Sequence, residues 1–128
     1  MANTDGERAS LYERIGGEAA VMAAVDLFYR KVLADPLTKP FFEKLDMIAQ
    51  TKKQIAFMAW ALGGPDEYRG RNLRAAHEGL VRQGLSDRHF DAVAGHLTAT
   101  LQELSVPPDL IAEALAIVGG TRNEVLNR

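Results

Sequence analysis

Apolar residues recur along this chain at the spacing of amphipathic helices, and the strict alternation of a half-buried strand is nearly missing. The first long stripe starts after Glu18 and continues to the pair Asp35-Pro36, where proline disfavours helix in the residue before it. Its apolar positions are Val21, Val25, Phe28, Val32 and Leu33. The pattern predicts an all-α chain whose first long helix ends near residue 35.

The rest of the chain divides into further helices at residues suited to starting or ending one. Asp46 and Ser86 are predicted N-caps, because their side-chain oxygens can accept from the first free backbone N–H groups. Gly63-Gly64-Pro65 ends one helix, since glycine suits the left-handed cap and proline cannot continue the helix. The predicted segments are residues 11–15, 38–42, 47–62, 72–81, 87–105 and 108–118, with residues 121–128 expected to fray.

Length and composition favour one ordinary globular domain. The chain has 128 residues and a net charge of −2, which does not indicate nucleic acid or an anionic membrane as a partner. Cysteine is absent, which excludes disulfides, thiolate metal ligands and thioether-bound haem. Residues 1–10 are expected to form a polar tail without a signal peptide, followed by a single domain over residues 11–128. A cytoplasmic monomer is therefore expected.

The histidines differ in what surrounds them. His89 and His96 share one helix but lie about 10 Å apart along it, too far to bind one zinc ion together, so surface or capping roles are expected. His77 has Leu73, Leu80 and Val81 at helical spacing and is predicted to face inward. Periodicity alone favours a hydrogen-bonded core histidine over a metal ligand at that position.

A polar stripe on the preceding helix changes the interpretation of His77. Gln50, Lys53 and Gln54 share a helical face with Phe57 and Met58. Together with several other segments, this stripe makes the chain resemble a truncated haemoglobin of the first group. The other segments are Leu11 to Gly17, Asp26 to Tyr29, Asp35-Pro36 before Phe41-Phe42, Gly63-Gly64-Pro65, Ala76-His77, His89 to Ala94 and Val106-Pro107. The resemblance covers nearly the full length.

The resemblance implies a truncated globin, a two-over-two helical sandwich that encloses non-covalent haem b. His77 would be the proximal iron ligand, while Tyr29, Gln50 and Gln54 would face the diatomic ligands O₂, NO and CO on the distal side. Some related globins also bond haem covalently through a histidine near the C-terminus. This chain has no histidine after His96, so that bond is not available to it.

Lys53 is a candidate second iron ligand, because some members of this group carry a histidine or lysine at that point of the helix. The alternative is that Lys53 extends to solvent or pairs with a haem propionate, for which Lys44 and Arg74 are also candidates. The remaining apolar side chains on inward faces are predicted to wall the cofactor, and without haem they would be ordinary core. They are Phe42, Leu45, Phe57, Met58, Leu62, Leu73, Leu80, Phe90, Val93, Leu97 and Ile117.

Three classes of function follow. The first is a haem protein that binds oxygen tightly and removes nitric oxide with it, as a candidate nitric oxide dioxygenase served by an unidentified reductase. The second is a six-coordinate haem protein for redox, electron-transfer or sensing roles, favoured if Lys53 binds iron. The third is a cofactor-free helical interaction module. Hydrolysis is disfavoured, since the acidic positions Asp87, Asp91 and Glu103 have no nucleophile beside them.

Overall fold

The computed structural model describes residues 10–62 and 73–128, which form helices joined by turns and contain no strand. The helices are α1 (Leu11–Ile15), α2 (Gly17–Ala34), α3 (Lys39–Phe42), α4 (Met47–Ala61), α5 (Leu73–Arg82), α6 (Asp87–Glu103), α7 (Pro108–Gly119) and α8 (Arg122–Val125). The predicted all-α class is confirmed, and most predicted segments agree with these bounds within one or two residues. The predicted break at Gly63-Gly64-Pro65 lies outside the described residues.

A tight corner joins α1 to α2. The Ser10 hydroxyl accepts a hydrogen bond from the Glu13 backbone N–H (3.1 Å) and caps α1. Gly16 follows with a φ of +133°, and a Cβ placed there would approach the Cβ of Ala20 to 2.8 Å. Glycine is therefore required at position 16 on both grounds. The Tyr12 backbone N–H donates to the Leu62 carbonyl (2.8 Å), which fastens α1 to the end of α4.

The end of α2 is fixed by side chains as well as by proline. The Thr38 hydroxyl is almost fully buried and donates to the Val32 carbonyl (2.7 Å). The Asp35 carboxylate accepts from the Leu37 backbone N–H (2.9 Å) and pairs with His96 Nε2 (2.7 Å). Both contacts lower the pKa of Asp35, and the hydrogen bond from the Leu37 backbone has the larger effect. The expectation of a surface or capping role for His96 is wrong, because its ring links α6 to the end of α2.

Both predicted N-caps are confirmed. The Asp46 carboxylate accepts from the Ile48 and Ala49 backbone N–H groups (3.0 and 3.3 Å) at the start of α4. Ser86 precedes α6, and its backbone N–H donates to Nδ1 of His89 (3.0 Å), so the capping role expected of His89 is also confirmed. Capping of this kind satisfies backbone groups that the first helical turn leaves without partners.

The long helices pack against one another around one core. α2 lies against α4 and α6, α6 lies against α7, and α7 also contacts α1 and α4. The core between them is centred on residues that are almost completely buried, such as Val32, Leu101 and Ala114. None of the helices in the described ranges is long and apolar enough to cross a membrane.

The last eight residues depart from the expectation of fraying. Residues 122–125 form α8, which packs against α5, and the following Leu126 is 5% exposed. Side chains from this segment form ion pairs with α6. The prediction of a frayed end is therefore wrong, because tertiary contacts supply what helical propensity does not.

Candidate functional site

Tyr29 is the buried polar residue from which the site is built. It lies on the inner face of α2, is 5% exposed, and packs its ring against Phe28 and Phe42 at centroid distances of 5.3 and 5.9 Å. A ring held on two sides has little freedom to move its hydroxyl. The hydroxyl therefore occupies a fixed position at the junction of α2, α3 and α4.

Gln50 on α4 pairs with Tyr29, and we call these two residues the polar centre. Its side-chain Nε2 donates a hydrogen bond to the Tyr29 hydroxyl oxygen (3.1 Å). Because the oxygen accepts this bond, the phenolic proton is left to donate elsewhere, and no group that the structure describes accepts it. Burial raises the pKa of Tyr29 to about 12, against a smaller lowering effect of Gln50. The phenol thus remains a proton donor at neutral pH.

Gln54 lies one turn beyond Gln50 and borders a small apolar cavity. Among the described residues it is the polar member of a lining formed by Ile15, Val21, Ala24, Val25, Phe28, Met58, Leu62, Leu97 and Leu101. Met58, Leu62 and Leu97 were predicted as walls of the site. The contribution of α2 to this cavity was missed, although the stripe of Val21, Val25 and Phe28 already indicated which face of α2 is buried.

His77 lies in the middle of α5 and is half-buried, as are Leu80 and Val81 on the same helix. His77 was predicted to face inward, and its side chain is half-buried rather than fully buried. The structure describes the backbone of Leu73 and Arg74 but not their side chains, so their predicted contacts stay predictions.

Lys53 and Lys44 are both exposed. Lys53 follows Gln50 by three positions and so lies near the same side of α4 as the polar centre. In the described part of the chain neither lysine forms an ion pair. The roles predicted for them at the iron or at propionates stay predictions.

The predicted apolar walls divide by exposure. Met58, Leu62, Phe90 and Leu97 are buried, while Phe42, Phe57, Leu80 and Val93 are half-buried. Leu45 and Ile117 are exposed at 37% and 36%, so the expectation that they face the interior is wrong for the packing of the protein itself. Leu45 lies in the turn between α3 and α4, and Ile117 lies near the end of α7. A contact of either with a cofactor stays a prediction.

Comparisons with known proteins agree with this geometry. A family model described as bacterial-like globin matches residues 10–127. A Group 1 truncated hemoglobin of Chlamydomonas moewusii is 53% identical over 92% of this chain and 68% of its own length. The Group 1 truncated hemoglobin GlbN of Synechocystis sp. is 50% identical over 94% of this chain and 99% of its own.

Solved structures show the same likeness. The 2/2 hemoglobin of Synechococcus sp. PCC 7002, described with covalently attached heme, superposes with a TM-score of 0.89 at 54% identity, covering 94% of this chain and 100% of that one. The truncated hemoglobin of Tetrahymena pyriformis in its Fe(III) form gives 0.85 at 47% identity, covering 92% and 98%. The fold is thus that of a two-over-two globin, and the class is that of haem proteins that bind small ligands.

This chain belongs to the bacterial-like globin family, within which it is a Group 1 truncated hemoglobin. Its cofactor is haem b, and oxygen binding follows from the family. The residues of this chain fit that cofactor: an imidazole on α5, half-buried apolar side chains on α3 to α6, and a buried phenol whose proton has no protein acceptor among the described residues. The prediction of a cofactor-free helical interaction module is wrong, because haem b is the cofactor of this family.

Proposed function

We propose that this protein retains dioxygen at its haem and uses it to remove nitric oxide. The observation that carries the proposal is the hydrogen bond from Gln50 to Tyr29, which leaves the phenolic proton available to a ligand. Haem b, when bound, would supply an iron that binds a diatomic ligand, and His77 is the residue proposed to hold that iron.

Tyr29 would stabilise a ligand that carries partial negative charge. A hydrogen bond to a charged acceptor is worth about 1.5–3 kcal/mol, roughly twice a neutral one. The rigid ring contacts with Phe28 and Phe42 hold the donor in place before the ligand arrives, so little entropy is lost on binding. Gln50 keeps the phenol turned as a donor, and Gln54 offers a second amide beside the apolar cavity.

Tight oxygen binding suits a protein that consumes oxygen in a reaction better than one that transports oxygen. One nitric oxide, one dioxygen and one electron make one nitrate, and ferrous haem, when bound, would supply that electron. A one-electron reductase must then restore the ferrous state, so we propose a reductase as a partner. Release of oxygen for transport would instead require a weak distal donor, which the buried Tyr29–Gln50 pair does not provide.

Stopped-flow mixing of the reduced, oxygen-saturated protein with nitric oxide tests this function. We expect conversion to the ferric spectrum within milliseconds and one nitrate for each haem. The same mixture without protein is the control for slow autoxidation of nitric oxide. Accumulation of ferrous haem carrying nitric oxide, with oxygen released unchanged and no nitrate, would show that the protein does not perform this reaction.

The six-coordinate alternative depends on Lys53. A lysine amine must lose a proton before it can bind a metal. This alternative predicts that the ferric protein is low-spin at neutral pH and that Lys53→Ala converts it to a high-spin spectrum. Optical and electron paramagnetic resonance spectra measure the change.

Lys52→Ala is the matched control, because Lys52 is an exposed neighbour of the same charge on α4. It should leave the ferric spectrum unchanged. Wild-type protein that is already high-spin at neutral pH would eliminate lysine ligation, and with it the main support for an electron-transfer or sensing role.

A further inference from the structure

The helix that carries His77 has its most extensive packing with α8. Among the described residues, no other element packs against α5 as extensively as α8 does. α8 is a single turn, Arg122–Val125, and one turn has no stability of its own in water. Whatever holds α8 in place therefore also determines the surface against which α5 lies.

Four charged residues hold α8 against α6; we call them the Arg122 cluster, and they are Arg122, Arg128, Asp87 and Asp91. Arg122 donates from Nη1 to Asp87 (3.0 Å) and from Nη2 to Asp91 (2.6 Å). Arg128 donates to both carboxylate oxygens of Asp87 (2.7 and 3.0 Å). The planar guanidinium groups thus use several donors each, which a lysine could not match.

The guanidinium of Arg122 also covers an apolar residue of the pocket. Its Cζ lies 4.5 Å from the ring centroid of Phe90, which is 8% exposed and is a predicted wall of the haem pocket. Arg122 therefore contacts two carboxylates and the aromatic ring that lies between them in the sequence. The cluster links α8 to the first turns of α6, and α8 also contacts α5.

We propose that Arg122 is a positioning residue for the proximal side of the haem pocket. By holding α8 on α6, it fixes the surface against which α5, the helix that carries His77, packs. This rests on the proposed role of His77 as the haem ligand. The cluster gives this chain a non-covalent restraint near its end, where it has no histidine to bond haem. Haem retention then depends on ionic strength.

The dependence on salt follows from exposure. The side chains of Arg122, Asp87 and Asp91 are 33%, 51% and 62% exposed, so ions in solution reach the pairs. The screening length falls from about 10 Å at 0.1 M salt to about 3 Å at 1 M. Single exposed ion pairs contribute little, but a network around a bidentate arginine is the arrangement in which they matter.

Two measurements on the holoprotein test the proposal. The first is the rate at which ferric haem transfers to excess apomyoglobin in low and high salt. The second is hydrogen exchange of the backbone amides in α5. We expect Arg122→Gln to accelerate both by about three- to tenfold in low salt, and to remove most of the salt dependence seen in the wild type.

Arg30→Gln is the matched control, since it removes an exposed arginine pair with Asp26 on α2 and should change neither rate. Arg122→Lys keeps the charge but not the planar fork, so it should give an intermediate effect and serves if Arg122→Gln does not fold. Asp91→Asn combined with Arg122→Gln should cost less than the sum of the two single changes.

Unchanged exchange in α5 would overturn the proposal directly. Faster exchange with unchanged haem transfer would also overturn it, because α5 would then move without consequence for the cofactor. His77→Gly measured alongside separates the two proposals. If that variant holds haem as well as the parent does, His77 ligation has failed as well, whereas if it loses haem, only the role of Arg122 has failed.

Discussion

His77→Gly should reduce the affinity of the protein for haem by more than about 100-fold. Loss of a residue that only supports a metal ligand typically lowers metal affinity by about 10- to 100-fold, and loss of the ligand itself should have a larger effect. The reason is that His77 is the histidine placed half-buried on α5, and nothing else on that helix in the described residues can donate a nitrogen lone pair to iron. Titration of hemin into the apoprotein, followed by absorbance, measures the change.

Added imidazole should restore much of the lost affinity, because the glycine leaves room for a free ring at the same place. His96→Gln is the matched control: it removes a histidine that pairs with Asp35, so it costs stability between α2 and α6 without touching the proposed site. Circular dichroism shows whether each variant keeps its helices. A His77→Gly protein that takes up hemin as avidly as its parent would contradict the assignment of the proximal ligand.

Helix positions were predictable because they depend on local chemistry. Proline at position 36 and the caps at Asp46 and Ser86 act on backbone groups within one turn, and the structure places the helix boundaries beside them. The apolar stripe of α2 likewise fixes which face is buried, since Val21, Val25 and Val32 are all among the least exposed residues. Such signals need no knowledge of the rest of the chain.

The contacts between distant residues were not predictable in this way. Asp87 and Asp91 at helical spacing are typical of a solvated face, and only the structure brings Arg122 between them. The pairing of His96 with Asp35 is of the same kind, because neither residue has a local pattern that indicates the other. Packing of α8 on α5 depends on the whole fold, which is why propensity alone predicted a frayed end.

The candidate site was predictable in part. The resemblance named Tyr29 and Gln50 together, but they sit on different helices, and the direction of the hydrogen bond between them comes from the structure alone. That direction matters, because a phenol that donated to Gln50 would have no proton left for a ligand. The exposed position of Lys53 likewise could not be deduced from the sequence stripe, which places Lys53 on the same side of α4 as Gln50.

Tyr29→Phe should increase the rate of oxygen dissociation by about 10- to 150-fold, which corresponds to the 1.5–3 kcal/mol of a hydrogen bond to a charged acceptor. The substitution keeps the ring that packs against Phe28 and Phe42, so the core should lose little more than the hydroxyl. Stopped-flow displacement of oxygen by carbon monoxide measures the rate. Because burial raises the pKa of Tyr29 to about 12, the wild-type rate should stay constant from neutral pH to about pH 10.

Gln50→Leu separates the donor from the group that orients it. It leaves the Tyr29 hydroxyl in place but removes the bond that turns its proton away from α4, so a smaller acceleration than that of Tyr29→Phe is expected. The two substitutions together should accelerate dissociation by less than the product of their separate effects, because both act through one hydrogen bond. Independent, fully multiplicative effects would show that Gln50 contacts the ligand itself, and an unchanged rate in Tyr29→Phe would remove the phenol from the site.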